Sequence, residues 1–256
     1  MIRVLHKAFD MLEYLAQDTR RRRKLNEIAM HLKLNAGTCA NILKTMVQRK
    51  YVDQEKARGG YMPGPMIYYL SKMNAYRADL VSVAEPLMAD LVKRVNETVL
   101  LAVLHGGKRS VIIQINGNQG VQIDQNLFFL RNIYETATGR LLLAYLNENE
   151  LKNVIAENGL PGIRWPEAAS RQKLESVLSV IRRQKLVCHQ TSEGIVGVAC
   201  PIRENDKVTA ALGLFLPAFR FNGGHKAAIM KGMASTSAEI SKKFSSIGNN
   251  DLENKI

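Results

Sequence analysis

Between residues 25 and 64 the apolar residues are spaced for three short elements in a fixed order, and that order restricts the fold more than any other feature of the chain. Leu25, Ile28, Ala29 and Leu32 share one face of a helix of about two turns. After Lys33-Leu34, Asn35 is a good N-cap, and Cys39, Ile42, Leu43, Met46 and Val47 follow at helical spacing. The opposite face carries Asn41, Lys44, Thr45 and Gln48 in one polar stripe. Tyr51-Val52-Asp53 then reads as a strand, Lys56 to Gly60 as a turn and Tyr61-Met62 as a return strand. An earlier helix, with Leu5, Phe9, Leu12, Leu15 and Ala16 on its inner face, precedes the set. Helices, a tight turn, a further helix and a hairpin are the parts of a winged helix-turn-helix.

Charge follows the same boundary. The 256 residues carry 36 Lys+Arg against 23 Asp+Glu, a net charge of +13. Residues 1–78 hold 15 basic and 6 acidic side chains, so +9 of the total falls there and +4 on the remainder. A basic module attached to a nearly balanced, larger domain implies a polyanionic partner, nucleic acid ahead of an anionic membrane surface on charge alone, and double-stranded DNA is the one that suits a winged helix. On the third helix, Asn41 and Gln48 can pair with adenine and Thr45 can meet a thymine methyl. Thr38 and Lys44 complete the set expected to read bases. Arg20, Arg21, Arg22, Arg23, Arg49, Lys50, Lys56 and Arg58 suit phosphates, which set register without reading sequence.

Several classes are excluded. The longest apolar runs, Val99–Leu104 and Leu141–Leu146, are far shorter than the roughly 18 residues of a membrane span. Arg3, Lys7, Asp10 and Glu13 interrupt the first apolar stretch, so no secretory signal is expected and a cytoplasmic protein is. Three cysteines, Cys39, Cys188 and Cys200, without C-x-x-C spacing suggest neither disulfides nor a zinc cage. Cys188, His189 and Cys200 lie on neighbouring expected strands but lack a metal motif, and no metal or cofactor is expected. No H-E-x-x-H, G-x-S-x-G or phosphate-binding glycine loop occurs, and Gly117 to Gly120 reads as a strand connection. The chain reads as a binding protein rather than an enzyme.

Beyond the hairpin, a linker helix is expected over 65–78, a mixed α+β domain over 79–246 and a polar tail over 247–256, leaving 1–64 as the winged helix. Leu80, Val83, Ala84, Leu87, Leu91 and Val95 trace helical faces, with Pro86 placed in the first turn of a second helix. Strands are expected at Val99–His105, Arg109–Ile115 and Val121–Gln125. Helices follow at Thr138–Leu146, Glu148–Asn158 and Ala168–Lys185, then strands at Leu186–Thr191, Ile195–Ile202 and Lys207–Phe215. A last helix spans Gly224–Phe244. Strands grouped in runs disfavour a doubly wound parallel sheet.

The sequence resembles the IclR family of bacterial transcriptional regulators over nearly its whole length. The N-terminal signs are Leu25-Asn26-Glu27-Ile28-Ala29, then Leu34, Thr38, Ile42-Leu43, Met46, Tyr51-Val52, Tyr61 and Gly64. The C-terminal signs are Asn96-Glu97-Thr98-Val99, Thr136-Ala137-Thr138-Gly139-Arg140 and Gly194 through Ile202. The resemblance implies a winged helix-turn-helix, a linker helix and a GAF-like effector-binding domain with an antiparallel sheet flanked by helices. It also implies a homodimer or homotetramer that binds a palindromic operator and changes transcription of a metabolic operon when a small metabolite binds. Asn41 stands where the family usually has arginine, and Lys33 where it has a turn glycine; a left-handed lysine there costs about 1 kcal/mol.

Carried over position by position, the family's effector pocket falls on Ala137, Thr138, Val187, Gly197, Gly213 and Phe215. Several of these places are polar in relatives that hold small carboxylates. The pocket here is therefore expected to be more apolar and to take something other than a two- or three-carbon oxoacid. The alternative reading is a metabolite-binding or enzymatic domain whose basic N-terminus serves protein contact or general RNA association.

Overall fold

The computed structural model describes residues 2–18, 21–55, 59–73, 76–120 and 132–253. The chain divides into two compact units, Met1–Tyr76 and Arg77–Ile256. The expected strand Val121–Gln125 lies outside the described residues.

The first unit contains α1 (Arg3–Ala16), α2 (Leu25–His31), α3 (Ala36–Gln48), β1 (Val52–Gln54), β2 (Tyr61–Pro63) and α4 (Pro65–Met73). Met11, Leu15, Ile28, Cys39, Leu43 and Val52 form its centre. Lys33, between α2 and α3, is left-handed at φ 53°. The turn keeps the geometry a glycine would give and accepts the lysine's cost. Asn35 caps α3 by accepting the Thr38 N–H at 2.7 Å, which meets one of the helix's unpaired donors. β1 and β2 pair antiparallel, and Arg23 adds a bridge to Tyr61, N–H to O in both directions at 2.9 and 2.8 Å.

In α1 the expected inner face is only partly right. Met11, Tyr14 and Leu15 are buried, whereas Leu5 and Phe9 are 50% and 58% exposed. The helix has apolar residues on two sides, and the module core is wide enough to cover one of them.

The second unit is a five-stranded, wholly antiparallel sheet in the order β4-β3-β7-β6-β5. Its strands are β3 (Thr98–His105), β4 (Lys108–Ile115), β5 (Val187–Gln190), β6 (Ile195–Glu204) and β7 (Lys207–Pro217). Period-two alternation sorts the side chains. Val99, Leu101, Val103, Val198, Leu212 and Leu214 meet α5 (Ala78–Val95) and the helix here named α9 (Gly223–Glu253). Leu100, Ala102, Ala199, Ala211 and Phe215 face the helix here named α6 (Ala137–Ala144), with α7 (Glu148–Asn158) and α8 (Arg171–Gln184) in the same core. α6 is buried at every position, so it is the middle of a layer rather than a cover.

Three expectations change. α5 is one helix with Pro86 in its interior, and six buried residues from Leu80 to Val95 hold it together despite the lost backbone bond. α8 begins at Arg171, because Gly162–Arg164 and Pro166–Ala168 are separate 3-10 turns that bury Trp165 and Ala168. The last helix continues to Glu253, through most of the segment expected to be a polar tail.

One ionic cluster ties the residue before β3 to Arg220 and to the first turn of α9. Glu97, buried, accepts both Nε–H and a terminal N–H of Arg220 at 2.7 Å, and His225 Nε2 lies 3.1 Å from the same carboxylate.

Candidate nucleic-acid interface and effector site

On α3 the buried residues Cys39, Ile42, Leu43 and Met46 point inward, and the same period leaves Asn41, Lys44, Thr45 and Gln48 exposed in one stripe. Thr38 is half-buried in the first turn. Thr45 Oγ1 donates to the Asn41 carbonyl at 3.1 Å. Arg49 and Lys50 are exposed just past the helix end, with Lys50 left-handed at φ 63°.

The arginine run is less available than its sequence suggests. Arg23 is only 8% exposed, donates to the Tyr14 hydroxyl at 3.0 Å, and stacks its guanidinium 4.1 Å above the same ring. It braces α1 against the hairpin and does not present its charge to a phosphate. Arg22 is held by Asp53 at 2.9 Å and Glu55 at 3.7 Å, acids of the wing itself. Arg21 is exposed and shared between Asp18 and Glu27. Glu27 is held below the usual carboxylate range, chiefly by the Lys24 N–H it accepts and further by Arg21. Arg20, Lys56 and Arg58 lie outside the described residues.

In the second unit, Ala137, Thr138, Gly197, Gly213 and Phe215 converge, as carried over, on the N-terminus of α6. Val187 does not line that space; it pairs with Ala199 in the core. The cavity measures only about 20 Å³. The glycines explain why: a Cβ on Gly213 would stand 2.5 Å from Thr138 Cγ2, and one on Gly197 3.2 Å from Ala137 Cβ. Here glycine lets α6 lie against the sheet, and the pocket is mostly filled by the helix itself.

Its lining also includes a cation that the sequence reading missed. Arg109 on β4 is buried, with its guanidinium 3.5 Å from Thr138 Oγ1 and its pKa pushed down to about 10 by burial. Arg140, on α6, was missed as well. It donates to the Tyr134 carbonyl at 2.7 Å, the Arg164 carbonyl at 3.2 Å and His189 Nδ1 at 3.0 Å, and stacks on Trp165. A guanidinium can only donate, so this bond assigns the His189 proton to Nε2. The signal for Arg140 was present: a cation in a helix without a polar face has to be buried.

His189 opposes Gly197, on the α6 face, whereas Cys200 is in the core of the α5 and α9 face and Cys188 opposes Val198 of that face. The three do not converge. Among the described residues no group of three or more His, Cys, Asp or Glu is placed to hold a metal ion.

A winged helix-turn-helix with a hydrogen-bonding stripe on its third helix, attached to a helix-flanked antiparallel domain, defines a ligand-responsive DNA-binding transcriptional regulator. Family models place it further: residues 4–56 match the IclR helix-turn-helix domain and residues 73–242 the bacterial transcriptional regulator IclR C-terminal domain. The chain belongs to the IclR family of bacterial transcriptional regulators.

Among curated relatives it is 26% identical over 194 residues to the HTH-type transcriptional regulator XynR of Escherichia coli, covering 75% of this chain and 77% of that one. It is 24% identical over 224 residues to KdgR of the same organism, covering 84% and 82%. An IclR transcriptional regulator from Alicyclobacillus acidocaldarius shares the fold at TM-score 0.75 and 22% identity, covering 96% of this chain and 99% of that one. An IclR homologue from Microbacterium hydrocarbonoxydans, crystallised with 4-hydroxybenzoate, does so at TM-score 0.73 and 20% identity, covering 95% and 99%. Among the described residues no helix is long and apolar enough to cross a membrane.

Proposed function

We propose that the protein is a cytoplasmic regulator that binds a palindromic operator as a homodimer or homotetramer and alters transcription of a metabolic operon when its C-terminal domain takes up a small metabolite. The supporting observation is the exposed stripe Asn41, Lys44, Thr45 and Gln48 on a helix whose other face is fully committed to the core. In this reading α3 enters the major groove of each half-site and the stripe, with Thr38, reads base edges. Arg49 and Lys50, with Arg20, Lys56 and Arg58, meet phosphates. Arg21 contributes once DNA competes for it, and Arg22 and Arg23 support the wing instead. Exposed apolar residues on α1 and α4, including Leu5, Phe9, Tyr69 and Leu70, support subunit pairing through the first unit. The domain is assigned ligand binding rather than catalysis. Ligand acts by favouring one arrangement of the DNA-binding units over another across the linker.

The test compares two kinds of variant on a randomised set of operator-sized duplexes. Asn41→Ala or Gln48→Ala is expected to cost about 1–3 kcal/mol and to relax preference at one base pair. Arg49→Ala is expected to weaken every sequence alike and to lower the salt slope by about 1. Identical behaviour of the two kinds, with sequence preference untouched in both, would contradict the reading.

A further inference from the structure

Arg77 opens α5 in a conformation that helix starts avoid. Its backbone is left-handed, at φ 57° and ψ 46°, and its side chain makes no cap to the helix. Residues before a helix are normally extended, and the favoured side chains there accept from the first N–H groups. Among the described residues six non-glycine residues are left-handed. Lys33, Lys50, Asn96 and Lys185 stand just past helix ends and Asn205 turns the β6–β7 hairpin, places where that backbone is common. Arg77 is the one of the six that bears the steric cost at a helix start.

Its side chain shows what offsets that cost. The guanidinium nitrogens lie 3.8 Å from Asp79 and 3.9 Å from Glu204, and the guanidinium carbon lies 5.4 Å from the centre of the Phe244 ring. Each contact is weak alone, since partly exposed ion pairs contribute little. Together they hold the residue from three elements: Asp79 is in the first turn of α5, Glu204 ends β6, and Phe244 is buried on α9. The last two belong to one platform. Ser241 and Ser245 of α9 accept the Arg203 and Asn205 N–H groups at 3.0 and 2.8 Å, which ties the β6–β7 turn to the helix. A strained residue persists only where its surroundings over-determine it, and such residues gather at switch positions.

The other end of the same hairpin faces the effector space. Gly197 of β6 and Gly213 and Phe215 of β7 line the cavity at the N-terminus of α6. Glu204 lies further along the same strand as Gly197, roughly 23 Å away at the rise of a β-strand. β6 and β7 pair along that whole distance, so they form a stiff connection between the cavity and Arg77. On the far side of Arg77 is the linker: α4 ends at Met73, and the second unit begins at Arg77.

We infer that Arg77 is a positioning residue of the regulatory response, fixing the direction in which the chain enters the second unit and coupling the β6–β7 turn to the linker. The inference rests on the reading of the second unit as the ligand-binding part of a DNA-binding regulator. A ligand under α6 shifts the hairpin, Glu204 shifts with it, and Arg77 passes the change to the chain before it.

Coupling between two sites is reciprocal, so operator binding acts back on the turn, and the test needs DNA alone. Amide hydrogen exchange is measured by mass spectrometry on the full chain, with and without the duplex it selects from the randomised set. In the wild type, exchange at residues 203–206 is expected to change at least about threefold on operator binding. Arg77→Gly keeps the left-handed backbone without its cost and removes the side-chain contacts. It is expected to lose the exchange change, with operator affinity within about threefold of the wild type and melting temperature within about 3 °C. A purely structural role would instead lower the melting temperature and leave the exchange change intact, and an intact change overturns the inference. So does loss of operator binding in Arg77→Gly, which would place the residue in the DNA-binding machinery. An operator-bound wild type whose turn exchanges as in the free protein overturns it too. A wild-type chain that selects no duplex overturns the regulatory reading, and the inference with it.

Discussion

Single side chains in this protein repeatedly do something other than what their charge advertises. Arg23 sits in the most basic stretch of the chain, yet its guanidinium belongs to Tyr14 and its backbone to Tyr61. Arg23→Ala is therefore expected to destabilise the first unit by about 1–3 kcal/mol through the lost hydrogen bond and stacking, measured by denaturant unfolding. A variant that unfolds like the wild type while losing DNA affinity would restore the arginine to the phosphate contacts. Glu97 makes the equivalent case in the second unit. Its carboxylate accepts from Arg220 and lies against His225 while almost fully buried, so Glu97→Ala removes a buried charge shared by both and is expected to cost about 3–5 kcal/mol. Exposure separates the cysteines: burial raises all three thiols, Cys200 to about 11, but Cys39 and Cys200 are buried and Cys188 is exposed. At pH 8 a thiol reagent is expected to modify Cys188 first, and Cys39 and Cys200 only after unfolding.

At the scale of elements, what was legible was local. The α7 boundaries fall where expected, at Glu148 and Asn158, because Asn147 and Glu150 form a capping box and Gly159 stops the helix. α3 was legible for the same reason, since its cap and its apolar period agree. Pro86 misled because its cost in a helix interior is known and the packing that outweighs it is not visible in sequence. Pro86 is exposed on α5, so Pro86→Ala is expected to restore one backbone bond and to stabilise by up to about 3 kcal/mol, read as a higher melting temperature. No gain would mean that the helix already relieves the strain by local distortion. The site was harder. Ala137, Thr138, Gly197, Gly213 and Phe215 do converge, but whether glycines open a pocket or admit a helix depends on the α6-to-sheet distance, which no spacing encodes. Arg140 and His189 are 49 residues apart and meet only through the β5–β6 pairing.

For the whole molecule, the uneven charge has a structural meaning. The basic excess lies in the unit that carries α3, and part of it is spent internally on Asp53, Glu55 and Tyr14. What remains exposed is the polar stripe of α3 with a few flanking cations, which in the proposed reading suits reading a sequence rather than coating a polyanion. The second unit, nearly balanced in charge, buries two arginines beside its cavities. The most direct measurement is a footprint of the full chain on the DNA upstream of its own gene, repeated at two salt concentrations. Two protected half-sites related by a dyad and centred about one helical turn, or a multiple of it, apart are predicted, persisting at the higher salt and lost at one base pair in Asn41→Ala. Uniform protection that fades with salt, identical on unrelated DNA or RNA, would contradict the account.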